Sequence, residues 1–366
     1  MQVTYTRLNK LRQRSTLNPR SFKEFENHEY VIALNDDARG LKAYIVIHNR
    51  NLGLAHGGTR MLSYKKEEDA IKDVLNLSKA MSYKSASLGL PYGGAKGVII
   101  WKEGLNKAEV LTAYAEKVEA LNGLFHTGTD VGLSDIDVKY MSNFTQYMLG
   151  VNLDDTNNLS TSKTAALGVY LAIKESAKYR YGTDSLDGKI IGVKGVGKLG
   201  IELIQLLSKE KTKIIVADVD NARIEMIKSK YPKIDILSPN DMHRHRMDIY
   251  SPCALGNEFT TSNIKQLNCD LIVGGANNQL ASTKVGDELF ERGILYAPDY
   301  VVNAGGLIFA SEEIEKDGLK IDRVMERLDK IPKTLNDIFA ESLKENIATH
   351  RVADTIAESR IFNSQL

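Results

Sequence analysis

The spacing of apolar positions changes several times along the chain, and each change marks an element. Residues 30–34 and 41–48 are short β-rich runs separated by Asn35-Asp36-Asp37, which predicts a hairpin-like pair in a first sheet. From 67 to 84, Ala70, Ile71, Val74, Leu77 and Met81 recur at the steps of one helix face. Lys84 falls on that same apolar stripe. Val98-Ile99-Ile100 predicts a buried strand entered through Gly93-Gly94, and residues 107–121 a further helix.

Beyond about residue 150 the rhythm becomes strand, helix, strand, repeated. Strands are expected at 189–194, 213–217, 248–250, 271–273 and 294–297, with helices at 198–208, 222–229, 263–267 and 284–292. This alternation predicts a parallel, doubly wound sheet. The glycine-free stretch 322–361 predicts two helices, the last packing back on the first domain. The expected fold is therefore α/β with two domains. An N-terminal α/β catalytic domain takes residues 1–150 with the C-terminal helix 336–366, and a Rossmann domain takes 151–335. The 366 residues fit two domains at roughly 150 residues each.

Charge and composition narrow the partners. Lys and Arg total 48 against 47 Asp and Glu, so a net charge of +1 supplies no field to recruit nucleic acid or an anionic membrane. A small-molecule partner is expected. The hydrophobic share of 43% with 7 prolines describes a core-forming chain. Cys253 and Cys269 make neither a disulfide framework nor a metal-ligand spacing, which fits a reducing cytoplasm. No apolar run approaches the roughly 20 residues that span a bilayer, and no secretory core begins the chain. Six basic residues, from Arg7 to Lys23, precede Glu24. They read as a basic N-terminal tail, with an organelle presequence as the alternative.

The first chemical signal is Gly192-Val193-Lys194-Gly195-Val196-Gly197-Lys198-Leu199-Gly200, which runs from an apolar strand straight into a helix. In this G-x-G-x-x-G pattern Gly195 permits the tight turn, Gly197 lets a pyrophosphate approach the backbone, and Gly200 lets the helix sit close to the sheet. Asp218, at the end of the next strand, has the offset expected of a carboxylate that bonds ribose hydroxyls. Its charge favours NAD over NADP, although Arg223 is within sequence reach of a 2'-phosphate.

Two lysines stand where solvated side chains do not belong: Lys84 on its helix stripe, and Lys96 between Gly93-Gly94-Ala95 and the buried strand. A desolvated ammonium releases its proton more readily, so an interior lysine can serve as a general base. By contrast, the His243-Arg244-His245-Arg246 run has no acidic or cysteine partner pattern nearby and reads as a solvated loop.

At this point the sequence resembles the glutamate, leucine, phenylalanine and valine dehydrogenase superfamily, in its branch acting on apolar amino acids. The matching words are Gly57-Gly58-Thr59-Arg60-Met61, Met81-Ser82-Tyr83-Lys84, Gly93-Gly94-Ala95-Lys96, Thr127-Gly128-Thr129-Asp130-Val131-Gly132, Thr164-Ala165, Pro252-Cys253-Ala254-Leu255-Gly256, Ala276-Asn277-Asn278-Gln279-Leu280 and Ala297-Pro298-Asp299-Tyr300-Val301-Val302-Asn303-Ala304-Gly305-Gly306. They occur in family order from about residue 22 onward. The resemblance implies oxidative deamination of an L-amino acid to a 2-keto acid and ammonia, reversibly and with NAD. It casts Lys84 as the partner of the substrate carboxylate, Lys96 as the base that activates water, and Asp130 as the acid/base at the amino group. Asn277 or Asn278 would serve the carboxylate and nicotinamide, and Thr164 and Asn303 the nicotinamide side. Cys253 and Ala254 would join the coenzyme site with Val196, Lys198 and Leu199. Gly57 and Met81 would line the substrate cavity.

Departures shape the substrate expectation. His56 stands where apolar-substrate relatives carry leucine and glutamate-specific ones carry lysine. Gly128, Leu307 and Ala310 resemble the remaining pocket positions, and Gly128 with Leu307 is the phenylalanine-dehydrogenase pairing. The expected substrate is therefore bulky, apolar or aromatic. A glutamate-type enzyme, which a protonated His56 could support, and a non-catalytic dinucleotide-binding regulator are the alternatives. The second lacks support, because Lys84, Lys96 and Asp130 are all present. The resemblance also implies a homo-oligomer, with an octamer as one candidate size.

Overall fold

The computed structural model describes residues 17–151, 159–254, 256–315 and 317–363. Most of the basic N-terminal stretch and Leu255 lie outside them. Contacts divide the chain into two units: residues up to Ser82 with Tyr92–Met148, and Tyr83–Pro91 with the residues from Leu149 on.

The first unit is a five-stranded sheet. β1 (Tyr30–Asp36) and β2 (Leu41–Asn49) are antiparallel, with Tyr30 opposite Ile47 and Asp36 opposite Leu41. β1 runs through Asn35 and Asp36, which the sequence assigns to the turn. Residues 37–40 make the reversal instead, with Gly40 left-handed at φ 73° and Arg39 Nε donating to Asp36 Oδ2 at 3.0 Å. β3 (Leu54–His56) and β4 (Thr59–Leu62) precede α1 (Glu67–Ser87) and the strand β5 (Tyr92–Ile100). β3 and β4 lie parallel to β5, and β2 antiparallel to it.

All nine residues of β5 are buried. On one face Tyr44, Val46, Val98 and Ile100 pack against Ala70, Ile71, Val74 and Leu75 of α1. The glycines expected before this strand lie within it. A Cβ on Gly94 would fall 2.1 Å from Ser82 N, so bare backbone is what lets α1 rest on the strand. Outside this core, α2 (Lys107–Ala120) is capped by Asn106, and α3 (Asp135–Met141) by a Ser134–Asp137 capping box.

The second unit opens with α4 (Thr161–Tyr181) and continues through β6 (Ile190–Lys194), α5 (Lys198–Leu207), β7 (Lys213–Ala217), α6 (Asn221–Lys230), β8 (Asp235–Ile236), β9 (Ile249–Pro252), β10 (Leu271–Ile272), α7 (Thr283–Glu291) and β11 (Leu295–Tyr296). These strands form one parallel sheet in the order β11-β10-β9-β6-β7-β8. The chain winds outward from β6 in one direction and from β9 in the other, so the strand order reverses between those two. The carboxyl ends of strands at such a switch point are where doubly wound sheets bind ligands. The fold class is the expected one. In place of a helix at 263–267, Leu267 N closes on Ile264 O after one 3-10 turn, Ile264–Gln266, and Leu267 goes extended.

After α8 (Asp299–Val302) and α9 (Gly305–Ser311) come three helices where two were expected: α10 (Ile321–Leu328), α11 (Lys330–Glu345) and α12 (Thr349–Asn363). Pro332 is the reason for the extra break, because a proline is accommodated in the first turn of a helix and not in its interior. The sequence reading puts α12 with the first domain. α12 bonds residues on both sides of that domain's expected boundary: Glu358 accepts from Tyr83 and Arg360 bonds Ser87 O, both at the end of α1, while Thr349 Oγ1 bonds Tyr296 O and Asp354 accepts from Tyr300. Among the described residues no helix is long and apolar enough to cross a membrane.

Candidate active site

In the first unit the chemistry gathers on β5. Lys96, opposite Val46 of β2, is 6% exposed, and its ammonium is ion-paired with Asp130. Asp130 lies on a segment that runs beside β3 and β4, where Gly57 N donates to His126 O, Thr59 N to Gly128 O and Met61 N to Val131 O. This pairing carries Gly128 and Asp130 alongside Gly57. Asp130 also accepts from Val131 N at 2.5 Å and from Arg60 Nε at 3.4 Å, and Arg60 is held in turn by Asp73 at 3.0 Å. Burial works to raise the Asp130 pKa, but the Lys96 and Arg60 charges outweigh it and leave the group at about 2. The carboxylate is therefore ionised across the physiological range.

Gly57 sits against the same strand so closely that a Cβ would be 1.9 Å from Ala95 O and 3.2 Å from Met81 Cγ. His56, beside it, is 1% exposed, edge-on to Tyr92 with ring centroids 5.0 Å apart, and its Nε2 has no hydrogen-bond partner. Burial, with His126 and Lys96 nearby, pushes its pKa down to about 3, so the ring is neutral.

In the second unit two clusters form. Lys84, 9% exposed at the end of α1, donates to Asn277 Oδ1 at 3.4 Å, and Asn303 Nδ2 donates to the same oxygen at 2.8 Å. Of the two candidate amides, Asn277 is thus the one beside Lys84. Asn278 makes the left-handed bend at φ 52°. Asp299 accepts from Gln279 N at 3.0 Å and from Tyr300 N at 2.8 Å, and burial raises its pKa against the pull of these N–H groups and Lys84. Asn303 Oδ1 is buried with no partner, an acceptor left for a ligand amide. Thr164 is buried one turn into α4 and donates to Ser160 O at 2.8 Å. A Cβ on Gly305 would sit 2.1 Å from Thr164 O, so α9 and α4 touch through backbone. Leu307 and Ala310, three apart on α9, are half-buried on that helix.

The other cluster is the turn between β6 and α5. Gly195 is left-handed at φ 108°, and a Cβ there would lie 2.6 Å from Ala254 N and 2.7 Å from Cys253 C. A Cβ on Gly200 would be 2.0 Å from Gly195 O, whereas Gly197, the helix N-cap, meets only Arg223 Nη1 at 3.9 Å. The turn is therefore closed behind and open in front, a cradle that fits a pyrophosphate at a helix N-terminus. Val196 is buried, Lys198 is exposed, and Leu199 leans on Gly275. Asp218 accepts from Val196 N at 2.5 Å and from Asp220 N at 2.8 Å, which joins the expected ribose-binding carboxylate to the turn itself.

Three supporting groups escaped the sequence reading. Arg60 and Asp299 sit inside motif words without a role, and only pairing reveals what they hold. His243 does not belong to a solvated loop: it is 8% exposed and lies 2.9 Å from Glu258 Oε1. Its partner is fifteen residues away in sequence, farther than a local spacing pattern reaches. Among the described residues no group of three or more His, Cys, Asp or Glu is arranged to hold a metal.

The chain is similar to known proteins in sequence and in fold. The Glu/Leu/Phe/Val dehydrogenase dimerisation domain matches residues 26–150, and the Glutamate/Leucine/Phenylalanine/Valine dehydrogenase domain matches residues 216–364. Leucine dehydrogenase of Bacillus cereus is 39% identical over 347 residues, covering 94% of each chain. Phenylalanine dehydrogenase of Thermoactinomyces intermedius is 39% identical over 336 residues, or 91% of each. The solved structure of L-tryptophan dehydrogenase from Nostoc punctiforme matches with a TM-score of 0.79 and 35% identity, covering 93% of this chain and 97% of its own. With both domains matched and relatives aligned nearly end to end, the chain belongs to the Glu/Leu/Phe/Val dehydrogenase family.

Proposed function

We propose that this protein is an NAD-dependent dehydrogenase that converts bulky apolar or aromatic L-amino acids reversibly to 2-keto acids and ammonia. The observation that carries this reading is the buried Lys96–Asp130 pair, in which two groups able to exchange protons lie side by side inside the first unit. When bound, the coenzyme supplies the acceptor for the hydride leaving the α-carbon. Lys84, beside Asn277, takes the substrate carboxylate. The ionised Asp130 first takes a proton from the substrate ammonium. Lys96, once its own proton has passed to solvent, draws a proton from the water that attacks the iminium carbon, and Asp130 then returns its proton to nitrogen as the carbinolamine collapses. Arg60 keeps Asp130 charged for that role.

NAD rather than NADP is supported by Asp218, whose carboxylate would repel a 2'-phosphate, and by Arg223, whose Nε lies 3.1 Å from Asp220 Oδ2 and is already paired. A neutral His56 supports the apolar substrate class and opposes the glutamate-type alternative, because a side-chain carboxylate needs a cation there. We read the enzyme as a cytoplasmic homo-oligomer, with an octamer as one candidate size, in keeping with two cysteines that are both free. A panel of L-amino acids with NAD, followed by NADH absorbance, tests the reading. Turnover should be highest with leucine, phenylalanine or a related side chain, and a preparation that binds NADH but reduces NAD with no amino acid would overturn it.

A further inference from the structure

A second buried ionic cluster lies under the coenzyme turn and takes no part in the chemistry above. Lys194, the last residue of β6, donates from Nζ to Glu258 Oε1 at 2.8 Å and Oε2 at 3.0 Å. Tyr250 OH donates to the same carboxylate at 2.5 Å, and His243 Nε2 lies 2.9 Å from it. Glu258 is 8% exposed, and Asn263 Nδ2 holds its backbone carbonyl at 2.7 Å. A buried carboxylate with a full set of partners fixes geometry, since moving it would strand each of them.

What Glu258 fixes is the stretch of chain between two functional elements. At one end Cys253 N donates to Lys194 O at 2.7 Å, and Cys253 and Ala254 press on Gly195 with no room for a Cβ. At the other, Asn257 N donates to Asn278 O at 2.6 Å and Phe259 N to Gln279 O at 2.9 Å, while a Cβ on Gly256 would be 2.6 Å from Asn277 O. Asn257 and Asn278 are both left-handed, at φ 57° and 52°, a conformation that persists where surrounding contacts hold it. Cys253 and Ala254 thus meet the coenzyme turn, and Gly256, Asn257 and Phe259 meet the loop bearing Asn277. The Lys194–Glu258 pair ties the two groups together, Lys194 holding Cys253 N and Glu258 lying between Asn257 and Phe259.

We propose that Lys194 and Glu258 are positioning residues that hold the dinucleotide-binding turn and the Asn277 loop as one unit, so that disturbing the pair weakens coenzyme and amino-acid binding together. The roles given to the two elements rest on the function proposed above; the clamp itself is a matter of geometry.

Glu258→Gln, Lys194→Met and the double variant test this, with NADH titrated by fluorescence and the Michaelis constants measured separately. Each single variant should raise the NADH dissociation constant and the amino-acid KM by about five-fold or more, at the low end of coupling between sites, with kcat little changed. The double variant should be no worse than the singles, because they break the same link. A network that only supports the fold would lower the melting temperature and the active fraction while both binding constants stay within about two-fold of wild type. That result overturns the proposal. Should Glu258→Gln fail to fold, Lys194→Met alone decides, since it leaves Glu258 bonded to Tyr250 and His243. Should wild type prove inactive with every amino acid, the proposed function fails, yet the NADH titration still tests the clamp.

Discussion

The ammonium of Lys96, on a strand buried along its whole length, is paired with the carboxylate of Asp130, and that carboxylate also lies 3.4 Å from Arg60 Nε. Two cations around one acid explain both how the acid stays ionised in a buried place and how a lysine is tolerated in a sheet interior. The pair is also open to direct test.

Replacing Lys96 with alanine should abolish turnover and leave NADH binding intact, because Lys96 belongs to the first unit and the coenzyme turn to the second. Loss of a general base costs on the order of 100-fold to 10,000-fold in rate. Steady-state kinetics beside an NADH titration separate the two effects, and a variant with half of wild-type activity would remove Lys96 from the chemistry.

Asp130 gives a prediction in pH. Its folded pKa, about 2, lies below the ordinary 3.8, so its contribution to stability is present above 3.8 and is lost as pH falls through 2. Asp130→Asn should therefore be less stable than wild type at pH 7 and at pH 5 by the same margin, and the gap should narrow below 3.8. Urea unfolding at several pH values measures this. A gap that widens on acidification would mean that the carboxylate is not held ionised by its neighbours.

Coenzyme preference should follow Asp218. Wild type should use NAD in preference to NADP, and Asp218→Ser should narrow the ratio of kcat/KM for the two by relieving repulsion of the 2'-phosphate. Equal efficiency in wild type would contradict the role given to Asp218.

The side-chain preference should survive the loss of the unusual histidine. His56 is buried with an unpartnered Nε2, so His56→Leu removes an unsatisfied polar atom and should stabilise the protein modestly, by about 1 to 3 kcal/mol. Comparison of kcat/KM for leucine, phenylalanine, tyrosine and glutamate in both forms reads the specificity. Apolar and aromatic substrates should lead in each; if tyrosine falls selectively in the variant, Nε2 is a partner for a distal hydroxyl, and if glutamate leads in wild type and collapses, His56 is a carboxylate receptor.

Much of this was legible in the chain itself. The alternation of short apolar strands with helices after residue 150 announced the parallel sheet, and the glycine spacing at 195, 197 and 200 announced its coenzyme turn, because both are local. Element ends were less legible. Gly93 and Gly94 look like a strand's approach until the backbone of residues 49–53 against the first and the helix on the second are seen, and Pro332 lies in the first turn of a helix in a stretch whose periodicity runs straight through it.

The sequence by itself determined which apolar faces would be buried and which backbone positions of the coenzyme turn needed glycine, since hydrophobic period and steric freedom are properties of a few neighbouring residues. Partnership was decided by the tertiary structure. Lys84 meets Asn277 across 193 positions, Lys194 meets Glu258 across 64, and of two adjacent amides Asn277 is the one beside the lysine while Asn278 makes a left-handed bend. Periodicity says that a charge is inside; only the folded chain, which brings distant segments within hydrogen-bond range, says what neutralises it.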